Sequence, residues 1–554
     1  MKMTGAEIIV RLLEQKGIEK VAGIPGAANL HLYHALKESK IKHVLARHEQ
    51  GAGFMAQGMA RTTGRAGVCF TTSGPGATNL LTAIADAKLD SVPIVAITGQ
   101  VASAAIGTDA FQEIDTYGLT VPITKHNFLV RKPEELLTII PEAFHIAESG
   151  RPGPVVIDIP KDVQQQSCTF EAWPVFKEPG KGRPVTTNEV REIALRINEA
   201  DRPVILAGGG VNTEESAALI IKLAETNNIP VTYTMRGIGC ISPNHRLSLG
   251  MIGMHGTRYA NALIEEADLL IALGARFDDR ATGVSSNFCQ NSEIIHIDID
   301  ASEINKIKKA DYSLNASAED VLREIIPFIQ VNKREQWIDR FSELKSEMPY
   351  VSAPEEGEDI FHPLNIIKSV AHHVPEDSII STDVGQHQMW VAQVWPFKNP
   401  RTFISSSGLG TMGFGVPAAI GAALANPRKK VVCFSGDGSI LMNIQELVTM
   451  SENNLNITVL VFNNQSLGLV RQHQELFFSK NYMATQFEAK PDFPAIARAF
   501  GISGMDLTTS ANPLDDLMNA LEHPGPVLVN VPINTSEKVL PMVRPGAPNK
   551  DMIY

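Results

Sequence analysis

At 554 residues the chain is too long for one hydrophobic core and points to about three domains. Its 44% hydrophobic and 20% charged content is ordinary for a globular protein, and a net charge of −12 with no polybasic run excludes a nucleic-acid or anionic-membrane partner. No apolar run nears the ~18 residues that span a bilayer, and five scattered cysteines without a CxxC pair argue against a disulfide framework or a zinc site.

In chain order, Thr4 opens an amphipathic helix broken by Glu7, Arg11 and Glu14, which reads as a helix and not as a signal peptide; a cytoplasmic location is expected. A strand around Val21, a helix after Asn29, a strand at His43 to Leu45 and a helix from Gln50 to Thr62 follow. Next come a strand at Gly67 to Thr72, a Gly-rich turn and helix at Ser73 to Ala87, and strands at Pro93 to Thr98 and Val155 to Pro160. This βαβα rhythm predicts a parallel sheet covered on both faces. Gln166 to Pro184 loses periodicity and reads as a linker. A second α/β unit starts with a helix at Asn188 to Ala200 and a strand at Pro203 to Ala207 running into Gly208-Gly209-Gly210. Its later strands are Asp268 to Leu273 and Ile294 to Ile299, and Ser352 to Asp359 reads as another linker. The fold class is therefore α/β, with three doubly wound parallel-sheet domains over 1–165, 184–330 and 362–554.

Two places carry chemistry. Glu49, in Arg47-His48-Glu49-Gln50, falls where a strand gives way to a helix, at the sheet edge where open α/β folds place ligands. Taken alone, a Glu there is more often only a partner of the helix dipole. In the third unit, Gly436-Asp437-Gly438 follows a buried strand, a helix comes next, and a second strand, Ile457 to Phe462, leads to Asn464. Asp437 and Asn464 then lie at the ends of neighbouring strands and offer hard oxygens suited to Mg²⁺ shared with a diphosphate. Alone, such a turn is more often only a turn.

GDG…NN resembles the motif of thiamine-diphosphate enzymes. Joined to ARHEQGAGFMAQGMAR at 46–61, SGPGATN at 73–79, DAFQE at 109–113, GARFDDR at 274–280, DVGQHQMW at 383–390 and GLGTMGFGVPAAIGAAL at 408–424, the whole chain resembles the acetohydroxyacid synthase (acetolactate synthase) catalytic subunit family. DAFQE with GARFDDR separates it from pyruvate oxidases and decarboxylases of the same architecture.

The resemblance implies decarboxylation of pyruvate and transfer of its two-carbon unit to a second pyruvate, giving 2-acetolactate, or to 2-ketobutyrate, giving 2-aceto-2-hydroxybutyrate. The cofactors implied are thiamine diphosphate, Mg²⁺ and FAD, the last without a redox step. It implies that Glu49 bonds the pyrimidine and relays its proton, that Met412 wedges the cofactor into a bent shape, and that Gly410 offers a carbonyl to the amino group. Gln386, His387, Gly438 and Ser439 would contact the diphosphate; Asp437, Asn464 and the Ser466 carbonyl would ligate Mg²⁺. Phe111, Gln112, Lys161, Met254 and Arg280 would line the substrate channel, with Gly26 and Ala27 near the reacting centre. Arg151, Gly208, Gly209, Gly210, Gly274, Arg276 and Asp298 would lie along FAD. A homodimer with shared active sites is implied, with a small regulatory subunit as a possible further partner.

Four residues depart from the common family pattern. Ala27 adds a methyl where relatives usually have Gly. His473 stands where many have Trp, which predicts a weaker preference for 2-ketobutyrate. Leu469 replaces a frequent Met at nearly constant volume. Ser317 replaces a frequent Asp near the flavin's adenine end.

Overall fold

The computed structural model describes residues 1–180, 182–350 and 359–554. The expected linker Ser352 to Asp359 lies outside the described residues apart from Asp359. Three six-stranded sheets form, every pairing in them parallel. The first runs Lys42–Leu45, Lys20–Gly23, Gly67–Thr71, Ile94–Gln100, Pro154–Pro160, His126–Leu129. The second runs Ser248–Met251, Val231–Tyr233, Pro203–Ala207, Leu269–Leu273, Glu293–Asp298, Tyr312–Asn315. The third runs Phe403–Ile404, Ile379–Thr382, Val431–Gly436, Ile457–Asn463, Val527–Pro532, Ser503–Asp506 and repeats the strand order of the first.

In each sheet the chain order reverses between two central strands, and a crevice opens there at the strands' carboxyl ends. The loops at these crevices are 24–27 with 72–74 in the first unit, 208–210 with 274–278 in the second, and 383–386 with 436–439 in the third. Each pair contains residues singled out from the sequence.

The first and third units share a core. Helix Glu49–Thr63, capped by His48 Nδ1 accepting the Gln50 N–H (3.1 Å), packs against helix Gly415–Ala425 with backbones nearly touching. A Cβ on Gly58 would stand 2.1 Å from the Ala418 carbonyl oxygen, and one on Gly421 2.0 Å from that of Met55. Phe54 meets Phe414 edge-on in the same cluster, with ring centroids 5.2 Å apart. Small residues here thus serve a helix crossing as well as any ligand.

Two expectations are corrected. The stretch after Gln166 is not irregular throughout: Ser167–Thr169 pairs antiparallel with Lys2–Thr4, and Trp173 and Phe176 pack on the first unit's core, because apolar residues are interspersed among its Pro, Gly and Lys. The single helix expected between Asp437 and Asn464 is two, Asp437–Ile440 and Glu446–Glu452. Between them the backbone closes i→i−3 turns, and the Asn443 amide donates to the Gly413 carbonyl (2.8 Å) and to Gln50 Oε1 (3.0 Å). All five cysteines are buried and unpaired, as expected of core residues.

Candidate active site

The crevice of the third unit is a cleft of ≈ 110 Å³ that gathers Gln386, His387, Met412, Asp437, Gly438 and Ser439, with Asn464, Ser466 and Leu469 on its far wall. Asp437 is buried; one carboxylate oxygen accepts the Gly438 N–H (2.9 Å) and the other has no hydrogen-bond partner among the described residues. Burial pushes its carboxyl up to about 6. Asn464 donates to Gln386 Oε1 (3.1 Å) and accepts the Ser466 N–H (3.1 Å), so its amide is held at the mouth of the strand pair. His387 is buried with Nε2 unpartnered among the described residues, and burial pulls the ring down to about 3, keeping it neutral. Gly436 leaves room for this ring, since a Cβ there would lie 3.0 Å from His387 Cε1. An unpaired buried carboxylate oxygen beside an amide and an unpartnered imidazole nitrogen fits a hard dication shared with an anionic ligand.

The loop 406–413 forms a wall between this cleft and a larger cavity of ≈ 810 Å³. Met412 lines the small side, Gly408 to Gly410 line the large side, and Leu469 lines both. Gly410 (φ +68°) and Gly413 (φ +86°) take left-handed conformations that a side chain would strain. Buried Asp383 accepts the Gly413 N–H (2.8 Å) and the Gly415 N–H (3.3 Å), fastening the loop's end to the start of the cleft.

Met254, Arg276, Arg280 and half-buried His473 face the large cavity. The Arg280 side chain is 62% exposed, its nearest carboxylate is Asp279 at 3.7 Å, and the guanidinium is open to a small anion. This cavity joins a second of ≈ 280 Å³, both touching Arg236, Arg276 and Asp278. The second is lined by Arg151, Gly209, Gly210, Gly274, Asp298 and Ser317 among others. Arg236 is half-buried and donates to the Asp90 carbonyl (3.2 Å), its one hydrogen-bond partner among the described residues, while burial lowers its guanidinium to about 10. Arg151 pairs with Asp300 (3.0 Å) and with Glu303. A long groove floored by glycines and edged by guanidiniums fits a dinucleotide. Gly208 does not line it: a Cβ there would stand 2.1 Å from the Gly274 carbonyl oxygen, so this glycine allows close packing of two loops. Ser317 caps helix Ala318–Ile325.

The residues expected from the first unit form a separate group. Glu49 accepts from Asn79 Nδ2 (3.0 Å) beside Gly76, and a Cβ on Gly26 would clash with Thr72 at 2.5 Å. Ala27 and Lys161 are exposed. Gln112 (φ +61°) folds its backbone onto Gly74, while Phe111 is 86% exposed at the tip of the same loop. Within one chain none of Gly26, Ala27, Glu49, Phe111, Gln112 or Lys161 lines the three cavities above.

Several groups that shape the site are absent from the sequence reading. Asp86, Asp90 and Arg61 hold the loop 406–413, and Glu446 holds the turn before Glu49. A pair of carboxylates one helical turn apart within an apolar helix was the available signal for the first group; for Glu446 there was none.

Three domain descriptions match the chain: "Thiamine pyrophosphate enzyme, N-terminal TPP binding domain" at residues 3–119, the central domain at 190–325 and the C-terminal TPP binding domain at 383–531. The chain is 51% identical over 553 residues to the acetolactate synthase isozyme 1 large subunit of Escherichia coli K12, covering 100% of this chain and 98% of the relative. It is 44% identical over 552 residues to the isozyme 2 large subunit of the same organism (100% and 99%). To the acetolactate synthase large subunit of Lactococcus lactis subsp. lactis it is 42% identical over 554 residues (99% and 96%).

Proposed function

The chain belongs to the acetolactate synthase large-subunit family of thiamine pyrophosphate enzymes, and on that premise we propose how its three units share the work. Its activity is that of an acetohydroxyacid synthase acting with thiamine diphosphate. The substrates we propose are pyruvate as donor and pyruvate or 2-ketobutyrate as acceptor. Mg²⁺ and FAD complete the cofactor set, with a homodimer as the working unit, the cytoplasm as its location and a small regulatory subunit as partner. The last follows from the relatives' description as large subunits.

The observation that carries this reading is the division of the site. Glu49 stands at the first unit's crevice while Asp437, Asn464 and Met412 line the third unit's cleft, and none of the three cavities described above contains both sets. A second copy supplying Glu49 and the exposed Phe111 loop would complete each cleft.

Bound thiamine diphosphate supplies the carbanion chemistry by which pyruvate loses CO₂ and its two-carbon unit is transferred. The rest is done by the chain. Asp437, Asn464 and the Ser466 carbonyl would hold Mg²⁺ against the diphosphate, with Gln386, His387, Gly438 and Ser439 around its oxygens. Met412 would press between the cofactor's rings and Gly410 would accept from its amino group. Glu49 of the partner copy would hold and return the proton at the pyrimidine nitrogen. Arg280 would take the keto acid's carboxylate, and Met254, Leu469 and His473 would bound the acceptor's alkyl end. FAD would fill the groove of the second unit as a structural element, along Arg151, Gly209, Gly210, Gly274, Arg276 and Asp298.

Incubation of the purified chain with thiamine diphosphate, Mg²⁺, FAD and pyruvate tests the reading by product. We expect 2-acetolactate; acetaldehyde or acetyl phosphate as the main product would overturn it.

A further inference from the structure

Asp86 lies on helix Pro75–Leu89 and Asp90 caps its end, one turn apart, both buried and both in the first unit. Most of what they hold belongs to the third. Asp90 accepts the Gly408 N–H (2.8 Å) and the Ser407 N–H (2.9 Å). Asp86 accepts the Thr411 hydroxyl (2.9 Å) and the Ser406 hydroxyl, whose oxygen in turn accepts the Thr411 N–H (2.8 Å). Buried Arg61 bridges the two carboxylates at 3.2 Å and 2.8 Å, donates to the Ser405 carbonyl (3.0 Å) and lies over the Phe414 ring at 5.0 Å. Residues 405, 406, 407, 408 and 411 are thus tied to one buried charged platform. Gly410 and Met412 are left free to face the two cavities.

A run with glycines at 408, 410 and 413 does not fix its own backbone. The platform does so with charge-assisted bonds in a dry environment, where they are strongest. Burial and the neighbouring Asp90 charge push the Asp86 carboxyl up. Burial also raises Asp90, but the Arg61 and Arg236 guanidiniums more than offset it and hold it below its usual range.

We propose that Arg61, Asp86 and Asp90 are positioning residues for the thiamine reaction: a platform in the first unit that sets the third unit's loop so that Gly410 and Met412 meet the cofactor in register. The inference rests on the assignment of the cofactor to the third unit's cleft given above.

The test uses the full-length enzyme at saturating thiamine diphosphate, Mg²⁺ and FAD. Ser406→Ala removes the bridge between Asp86 and the Thr411 N–H without leaving a buried charge unpaired, and Asp86→Asn weakens the platform itself. We measure kcat, pyruvate KM, cofactor Kd by titration calorimetry, thermal unfolding, and deuterium exchange at the thiamine C2 of bound cofactor by acid quench and NMR. In Ser406→Ala we expect kcat and the exchange rate to fall together by roughly 10- to 100-fold, as misplacement of a reacting group does. Kd and KM should stay within about threefold and folding should be intact.

A folded Ser406→Ala enzyme with kcat and exchange within about twofold of wild type overturns the inference, even if Asp86→Asn fails to fold. So does a loss of activity explained wholly by weaker cofactor binding, with normal exchange in the bound fraction. A wild-type chain that makes no acetolactate overturns the reading of the site, and this inference with it.

Discussion

The carboxylate of Glu446, in the third unit, accepts the backbone N–H of His48, in the first, at 3.0 Å across 398 residues of chain. The same oxygen accepts the Arg47 N–H (2.9 Å), and the other accepts the Thr449 hydroxyl (2.7 Å). Glu446 is fully buried and holds the turn from which Glu49 projects. Replacing it with Ala leaves two backbone donors unpaired, at roughly 1–3 kcal/mol each. Glu446→Gln keeps the shared acceptor oxygen. Thermal unfolding should therefore show Glu446→Ala strongly destabilised and Glu446→Gln close to wild type; equal destabilisation would contradict this role. Gly51→Ala should resemble Glu446→Ala, because a Cβ there would lie 2.5 Å from the Glu446 carboxylate.

Met412 lines the third unit's cleft, between Gly410 and Gly413 in sequence. If its bulk bends the cofactor, Met412→Ala should lower kcat by roughly 10- to 100-fold, whereas Met412→Leu, nearly constant in volume, should cost little. Steady-state rates at saturating cofactor decide it, and an unimpaired Met412→Ala enzyme would remove the wedge.

His473 faces the large cavity half-buried, its ring edge-on to Phe477 with centroids 5.7 Å apart. The two acceptors differ by one methylene, worth roughly 1–3 kcal/mol in a well-formed apolar pocket. A polar imidazole in place of an indole forfeits much of that. With both acceptors present, the product ratio should show weak selection for 2-ketobutyrate, and His473→Trp should raise it several-fold. Strong selection by the wild type would refute this.

Asp158 is buried on the strand next to the edge of the first sheet, accepting from Thr98 Oγ1 (2.6 Å) and Gln100 Nε2 (2.9 Å), and burial pushes its carboxyl up to about 7. Gln100 also donates to the Ile114 carbonyl (2.9 Å), at the base of the loop that carries Phe111 and Gln112. In the unfolded chain the carboxyl titrates near 4. The folded state thus keeps a proton that the unfolded state has lost between about pH 4 and 7, and stability declines as pH rises through that window. Asp158→Asn removes this titration. Its stability relative to wild type should improve from pH 5 to pH 8 in parallel melts; a difference independent of pH would contradict the assignment.

Much of the fold was legible because each strand is a buried apolar run closed by a turn. Val431–Gly436 and Ile457–Asn463 announce themselves in this way, and the 27-residue separation of Asp437 and Asn464 follows from one crossover between adjacent parallel strands. Phe403–Ile404 was not legible, since two residues carry no periodicity. Nor was the role of Asp86 and Asp90. Asp86 falls inside the expected helix Ser73 to Ala87 and Asp90 just beyond it, and the loop they hold lies more than 300 residues further along. Local pattern specifies elements; which helix end meets which loop is decided by how the units pack. Gly208 shows the same limit, because a glycine that admits a ligand and one that admits a neighbouring backbone are identical in sequence.

The central claim is that each working site joins Glu49 of one copy to the Asp437 cleft of another. Glu49→Gln and Asp437→Ala enzymes, each inactive alone, are unfolded together, refolded and assayed for acetolactate, with mixed dimers counted by two affinity tags. About half of randomly formed dimers are mixed and each carries one intact site, so the account predicts recovery of about a quarter of wild-type activity. Mixed dimers that form and bind cofactor but remain inactive would contradict it.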